Sequence, residues 1–158
     1  MKALFRKGDA PARGQPCRTA LIRKNGGWFG GAGRAPDVAM DADVLTEVDL
    51  AVYAAALERN GFFGPDSWYM NHDRNVAYSA KAINGGRLNM PVLFLHAAND
   101  LVCDTTGSRL AEPMREYCAN LSEVVIQSGH WMAQERPVAV NAALAKWLAV
   151  KLPDVWAS

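Results

Sequence analysis

Two apolar runs without regular polar alternation, Pro91–His96 and Val124–Gln127, constrain this chain more than anything else in it. Strict alternation marks a strand with one face in water, whereas a continuous apolar run suits a strand covered on both faces. A helical stretch separates the two runs, and a strand–helix–strand of this length makes a right-handed parallel crossover. Parallel strands leave a sheet at the same edge, which is where open α/β sheets place their sites. Asp100 follows the first run and His130 follows the second. The pattern therefore predicts an α/β fold with a carboxylate and an imidazole on one rim. A carboxylate accepting from one ring N–H fixes the tautomer and orientation of the imidazole. The other ring nitrogen is then free to take a proton from water or from a nucleophile. Asp104 competes for the carboxylate role, but Asp100 lies nearer the strand end and is preferred. His96 and His72 are read as packing or surface histidines, and Glu135 as a structural acid near the start of the last helix.

The chain has 158 residues, enough for one domain with a core, and half of them are hydrophobic. Its net charge of +1 gives no general pull toward nucleic acid or membrane. Residues 1–34 hold eight basic side chains against the single acid Asp9, but no zinc or aromatic binding motif goes with them, so a solvated surface is expected. No stretch is long and apolar enough to span a bilayer, and the start lacks the apolar core of a signal peptide. The three cysteines, Cys17, Cys103 and Cys118, include no C-x-x-C pair. They are expected to be free thiols in a reducing compartment, which makes the cytoplasm the default. Cys103 is the only one near the proposed site, and is read as a small apolar residue before it is read as a nucleophile. No His, Cys or acidic pair has zinc-ligand spacing on one element, so neither metal nor cofactor is expected.

Met1–Lys7 looks like a helix end stopped by Gly8, and Asp9–Gly33 reads as loop with a brief strand candidate at Thr19–Ile22. Trp28 and Phe29 sit inside four glycines, Gly26, Gly27, Gly30 and Gly31, that lack the Lys-Ser/Thr of a phosphate loop. These aromatics are expected to pack against whatever the segment covers. Thr46–Gly61 is the clearest helix of the first half, with Thr46 and Asp49 as a capping box and Leu50, Tyr53, Ala54 and Leu57 at helical spacing. A second helix is predicted over Ser67–Lys81, and a break over Ile83–Asn89 suggests a seam near residue 86. Beyond it come a helix over Gly107–Ala119, a strand over Leu121–Gln127, a loop over Ser128–Glu135, and a final helix over Pro137–Leu152 with proline at the favoured first position. Val138, Val140, Ala143, Leu144, Trp147 and Leu148 are its expected buried face.

Four stretches resemble the C-terminal part of an epoxide hydrolase of the α/β-hydrolase fold. They are Asn60–Gly64 followed by Trp68–Asn71, Pro91–Leu95 running into Ala98–Val102, Gly129–Trp131, and Gln134–Pro137. The strand-end Asp and the Gly-His pair are common to α/β-hydrolases at large, whereas the Trp-Tyr pair is similar to the cap of epoxide hydrolases. Met1–Gly33 resembles the inner cap more weakly. The resemblance implies a mostly helical cap segment over 1–85 and the C-terminal part of the hydrolase core over 86–158. It implies an epoxide opened to a vicinal diol through an aspartyl ester. His130 matches the water-activating base, Asp100 the residue that orients it, and Tyr69 one of two cap tyrosines that hold or protonate the ring oxygen. Trp131 and Trp68 are expected to line the substrate site, and the substrate is expected to be a small apolar epoxide.

The chain departs from the family pattern in having no Gly-x-Asp/Ser-x-Gly elbow and no His-Gly-Phe/Trp-Pro motif. It is expected to be unable to form the ester alone and to need a missing N-terminal half or a second copy. Two strands without their sheet neighbours would leave free edges and an apolar face, so marginal folding or aggregation is also expected. A haloalkane or haloacid dehalogenase, an esterase, and an inactive fragment or interaction module stay open as alternatives.

Overall fold

The computed structural model describes residues 1–8 and 16–156. The expected loop over 9–33 therefore lies partly outside the described residues. Thr19–Ile22 is not a strand but falls on a single helical turn, α1 (Arg18–Leu21). Periodicity cannot separate helix from strand in so short a run. α1 is instead anchored to a distant loop, with Arg18 N donating to Leu101 O at 2.7 Å and the Thr19 hydroxyl Oγ1 to Val102 O at 2.8 Å.

Three helices follow. α2 (Glu47–Asn60) starts as its local sequence dictates: Thr46 Oγ1 accepts from Asp49 N and the Asp49 carboxylate accepts from Thr46 N. Gly61 closes the helix at φ 68°, a backbone angle that favours glycine. The helix expected over Ser67–Lys81 is two, α3 (Phe63–Met70) and α4 (His72–Ser79), broken at Asn71. The Asn71 side-chain amide donates back to Ser67 O at 2.8 Å, the local side-chain bonding by which asparagine competes with continued helix.

After a 3₁₀ turn at Ile83–Gly86, β1 (Leu88–Ala97) and β2 (Cys118–Ile126) form a parallel pair, as the unalternated runs predict. Val92 pairs with Leu121 and Ala97 with Ile126, with one irregularity between Leu88 and Pro91. Proline has no N–H for the ladder, which accounts for a break there. Between the strands, α5 covers only Glu112–Tyr117, shorter than the expected Gly107–Ala119. Asp104 Oδ1 takes Thr106 N at 3.1 Å and Gly107 N at 2.7 Å, so this stretch turns instead of coiling. Cys118, placed inside the helix by its spacing, is buried as the first residue of β2.

A short α6 (Met132–Glu135) sits inside the expected loop, and α7 (Pro137–Lys151) runs nearly as predicted. Val140 is the buried residue of α7, and Ala143, Trp147 and Leu148 are half-buried. Val138 and Leu144 are exposed, contrary to the expected buried face. Pro91–Leu95 are likewise only half-buried, because β1 has a single strand neighbour among the described residues.

One buried apolar cluster lies outside the sheet. Phe5, Val44 and Leu45 form a buried cluster that gathers Met1, Met40, Leu50 and Trp131 around it. It joins the chain start and α2 to the residue next to His130. Elsewhere apolar surface is open: the chain exposes 11819 Å² at 17.2 kDa, against about 7,800 Å² for a compact monomer of that mass. Phe63, Trp68, Tyr69 and Met70 on α3 are all exposed. Among the described residues no helix is long and apolar enough to cross a membrane.

Candidate active site

The parallel register carries Asp100 and His130 off β1 and β2 on the same side. The pairing of Ala97 with Ile126 continues past the strand ends, since Ala98 N donates to Ile126 O and Asn99 N to Ser128 O, each at 2.9 Å. The two loops are thus zipped together for a few residues before they part. Asp100 then lies three residues beyond Ala97 and His130 four beyond Ile126.

Their side chains meet: His130 Nδ1 is 2.9 Å from Asp100 Oδ2. An ionised carboxylate only accepts, so the proton of this bond sits on Nδ1, and in the neutral imidazole Nε2 then keeps its lone pair. The other oxygen, Asp100 Oδ1, accepts from Val102 N at 2.8 Å and Cys103 N at 2.9 Å. The carboxylate is therefore fixed at both ends. It is largely shielded, with its side chain 10% exposed against 38% for His130. Asp104, the competing acid, spends its carboxylate on its own turn.

Trp131 flanks the pair. Its ring meets the His130 ring edge-on at 5.2 Å and stacks on Phe5 at 3.9 Å, while its Nε1 donates to Leu4 O at 2.8 Å. Tyr69 and Trp68 are elsewhere in kind: both are more than 70% exposed on α3, and among the described residues neither has a hydrogen bond or ring contact with Asp100, His130 or Trp131. Open hollows of about 220 and 330 Å³ lie along residues 26–37, and neither is lined by the pair or by Tyr69. Trp28 is exposed there, so the expected packing of that aromatic is not seen, while Phe29 is half-buried.

Cys103 is a poor nucleophile by environment. Burial pushes its thiol pKa up, and the neighbouring Asp100 charge adds to the effect, so the reactive thiolate is disfavoured. His96 is buried in β1 and satisfied at both nitrogens, by Thr105 Oγ1 and Glu123 Oε1 at 2.9 Å each, in keeping with a packing role. Among the described residues no group of three or more His, Cys, Asp or Glu is arranged to hold a metal.

Sequence reading assigned Glu135 no more than a structural duty, and missed which atoms it holds. Its carboxylate accepts from Gly129 N at 2.8 Å and from Gly8 N at 3.2 Å. The one local signal was its place just before Arg136-Pro137 at the start of the last helix. Nothing in the sequence links it to Gly8, 127 positions away.

No family model matches the chain. It is 30% identical over 131 residues to bifunctional epoxide hydrolase 2 of Sus scrofa, covering 82% of this chain and 22% of that protein. It is 35% identical over 117 residues to epoxide hydrolase A of Mycobacterium tuberculosis, covering 73% of this chain and 35% of that protein. The chain thus spans about a fifth to a third of the curated relatives it matches. Among solved structures, it aligns with epoxide hydrolase A from Mycobacterium thermoresistibile at a TM-score of 0.65 and 29% identity, over 93% of this chain and 44% of that one. A Vigna radiata epoxide hydrolase mutant aligns at a TM-score of 0.61 and 25% identity, over 78% of this chain and 40% of that one.

Proposed function

This chain is related in sequence and fold to part of the epoxide hydrolases of the α/β-hydrolase type, and from that premise we propose that it carries the water-activating side of such an enzyme's site. His130 is the base. Nε2 takes a proton from a water molecule, the hydroxide adds to the acyl carbon of an enzyme-bound alkyl ester, and as the acyl C–O bond breaks the imidazolium returns its proton to the departing alkoxide, which leaves as the diol and frees the carboxyl group. Asp100 holds the ring through Nδ1 and offsets the imidazolium charge in that step. Tyr69 is the cap acid. Its hydroxyl donates to the epoxide oxygen as the C–O bond breaks and alkoxide character develops. Trp131 and Trp68 line the substrate, a small apolar epoxide, and residues 1–85 form the cap over a core of residues 86–158. The nucleophilic carboxylate is supplied from outside these 158 residues, so the isolated chain does not turn over epoxide. The free thiols of Cys17, Cys103 and Cys118 fit a reducing cytoplasm.

The observation that supports this most is the 2.9 Å contact of His130 Nδ1 with Asp100 Oδ2, at the adjoining ends of two parallel strands. Tyr69 enters through the likeness to the family. The test is a chimera that joins this chain to the part of the Mycobacterium thermoresistibile enzyme it does not match, assayed with styrene oxide. Diol is expected. His130→Gln should cut turnover by roughly 10²- to 10⁴-fold and leave a trapped ester adduct visible by mass spectrometry. Tyr69→Phe should slow ester formation itself. Full activity in His130→Gln, or a chimera that cleaves p-nitrophenyl esters or haloalkanes but no epoxide, would sink the reading.

A further inference from the structure

We propose that Glu135 is a positioning residue for His130, and that through it the chain's first eight residues form part of the frame of the site. The inference rests on the reading of His130 as the proton-accepting base. Glu135 is buried, its side chain only 3% exposed, which is costly for an ionisable carboxylate unless its oxygens are used. Oε2 accepts from both Gly129 N and Gly8 N, and Oε1 lies 3.9 Å from the Arg136 guanidinium Nε. The two glycines touch. A Cβ on Gly8 would run into Gly129 N and Cα and lie 2.8 Å from Asn99 O, and a Cβ on Gly129 would meet Gly8 in return.

His130 stands between two residues, and both are tied to the same short segment. Gly129 is joined to Gly8 through Glu135, and Trp131 is joined to Leu4 by its indole N–H and to Phe5 by stacking. With the backbone held on each side, the direction of the His130 Cα–Cβ bond is set. What remains is the ring torsions, which Asp100 takes up. The partner loop is held from the same region of sequence, by Arg18 N on Leu101 O and Thr19 Oγ1 on Val102 O. A base that must face water and a carboxylate at once needs this: displacement by about 1 Å at a reacting group can cost about 10²-fold in rate.

The experiment is proton NMR of the 158-residue chain with ¹⁵N-labelled histidine. His130 Nδ1–H, bonded to a carboxylate, should give a downfield ring signal, assigned by its loss in His130→Asn. Buried His96 serves as an internal monitor of the fold. In Glu135→Ala the His130 signal should vanish into solvent exchange while that of His96 persists. Glu135→Gln keeps an acceptor oxygen for the two amides and should restore it. If Glu135→Ala also loses the His96 signal, Glu135→Asp, which keeps the charge but is one methylene too short, decides in the same way. A His130 signal unchanged in Glu135→Ala or Glu135→Asp overturns the positioning role and leaves the base reading standing. A wild-type chain with no such signal removes the pair itself, and both readings fall together.

Discussion

The helices α2–α4 and the strand ends of β1 and β2 carry the same kinds of residue but use them differently. Among α2, α3 and α4 no residue is buried, and Val48, Val52, Phe63, Tyr69 and Met70 stand in solvent. At the strand ends Ser128, Gly129 and Glu135 are buried, and the polar atoms of Asp100 and Glu135 are each shared among several partners. The difference shows two sources of order. α3 and α4 hold by local bonds, and α2 adds the Thr46–Asp49 box to the packing of Leu50 and Tyr53 near Phe5. The strand ends add to shorter bonds two hydrogen bonds that span 127 positions, from Gly8 N to Glu135 and from Trp131 Nε1 to Leu4 O.

The largest effect that sharpens this contrast is expected at Gly8. Gly8→Val places a branched side chain against the backbone of Gly129 and Asn99, where nothing flexible can yield. Overpacking of this kind should cost about 3 kcal/mol, read as a fall in the urea midpoint, with loss of the His130–Asp100 bond by NMR. A midpoint within experimental scatter of wild type would break the picture of a locked strand end.

Next comes the cap of α2. Thr46→Ala removes the acceptor for Asp49 N, and about 1 kcal/mol of helix stability is expected to go with it. Amide exchange should quicken along α2 and stay unchanged in β1 and β2. Equal acceleration in the strands would mean that the two regions unfold as one unit.

A pH dependence should then separate them. The Arg115 guanidinium bonded to Glu123, followed by the His96 bond, holds the Glu123 carboxyl below the usual glutamate range. A carboxyl depressed in the folded state stabilises it above the ordinary glutamate pKa. That contribution is lost as pH falls through the ordinary value and then the lowered one. The β2–α5 link should therefore loosen in acid, and Glu123→Gln should flatten that part of the stability–pH curve. A curve of the same slope in the variant would assign the acid effect elsewhere.

The smallest effect is expected at Phe63, 86% exposed on α3. Phe63→Ser should change stability by less than about 0.5 kcal/mol and lower the binding of a hydrophobic dye. Destabilisation on the scale of a core substitution would show that α3 is covered by something, and would bring the two regions under one rule.

How much could be read in advance follows the same division. The Thr46 cap, the Gly61 stop and the proline start of α7 were legible because each is set within one turn of chain. The parallel pair was legible because both strands show unalternated apolar runs. The break at Asn71, the short α5 and the helical α1 were not. Asn71 and Asp104 captured nearby backbone groups in place of helix bonds, and α1 is pinned by Leu101 and Val102, which its four residues do not announce.

The sequence by itself determined the candidate residues: an acid after one apolar run and a histidine after the next, with Trp131 beside that histidine and Trp68 and Tyr69 in a separate stretch. Tertiary structure decided which of them meet. It joined His130 to Asp100, stacked Trp131 on Phe5, and left Tyr69 and Trp68 in solvent. It also turned Glu135 into the knot between Gly8 and Gly129. The physical reason is range. Caps, turns and periodicity are written in neighbouring residues, whereas a hydrogen bond spanning 127 positions exists only once the chain has brought its ends of the site together.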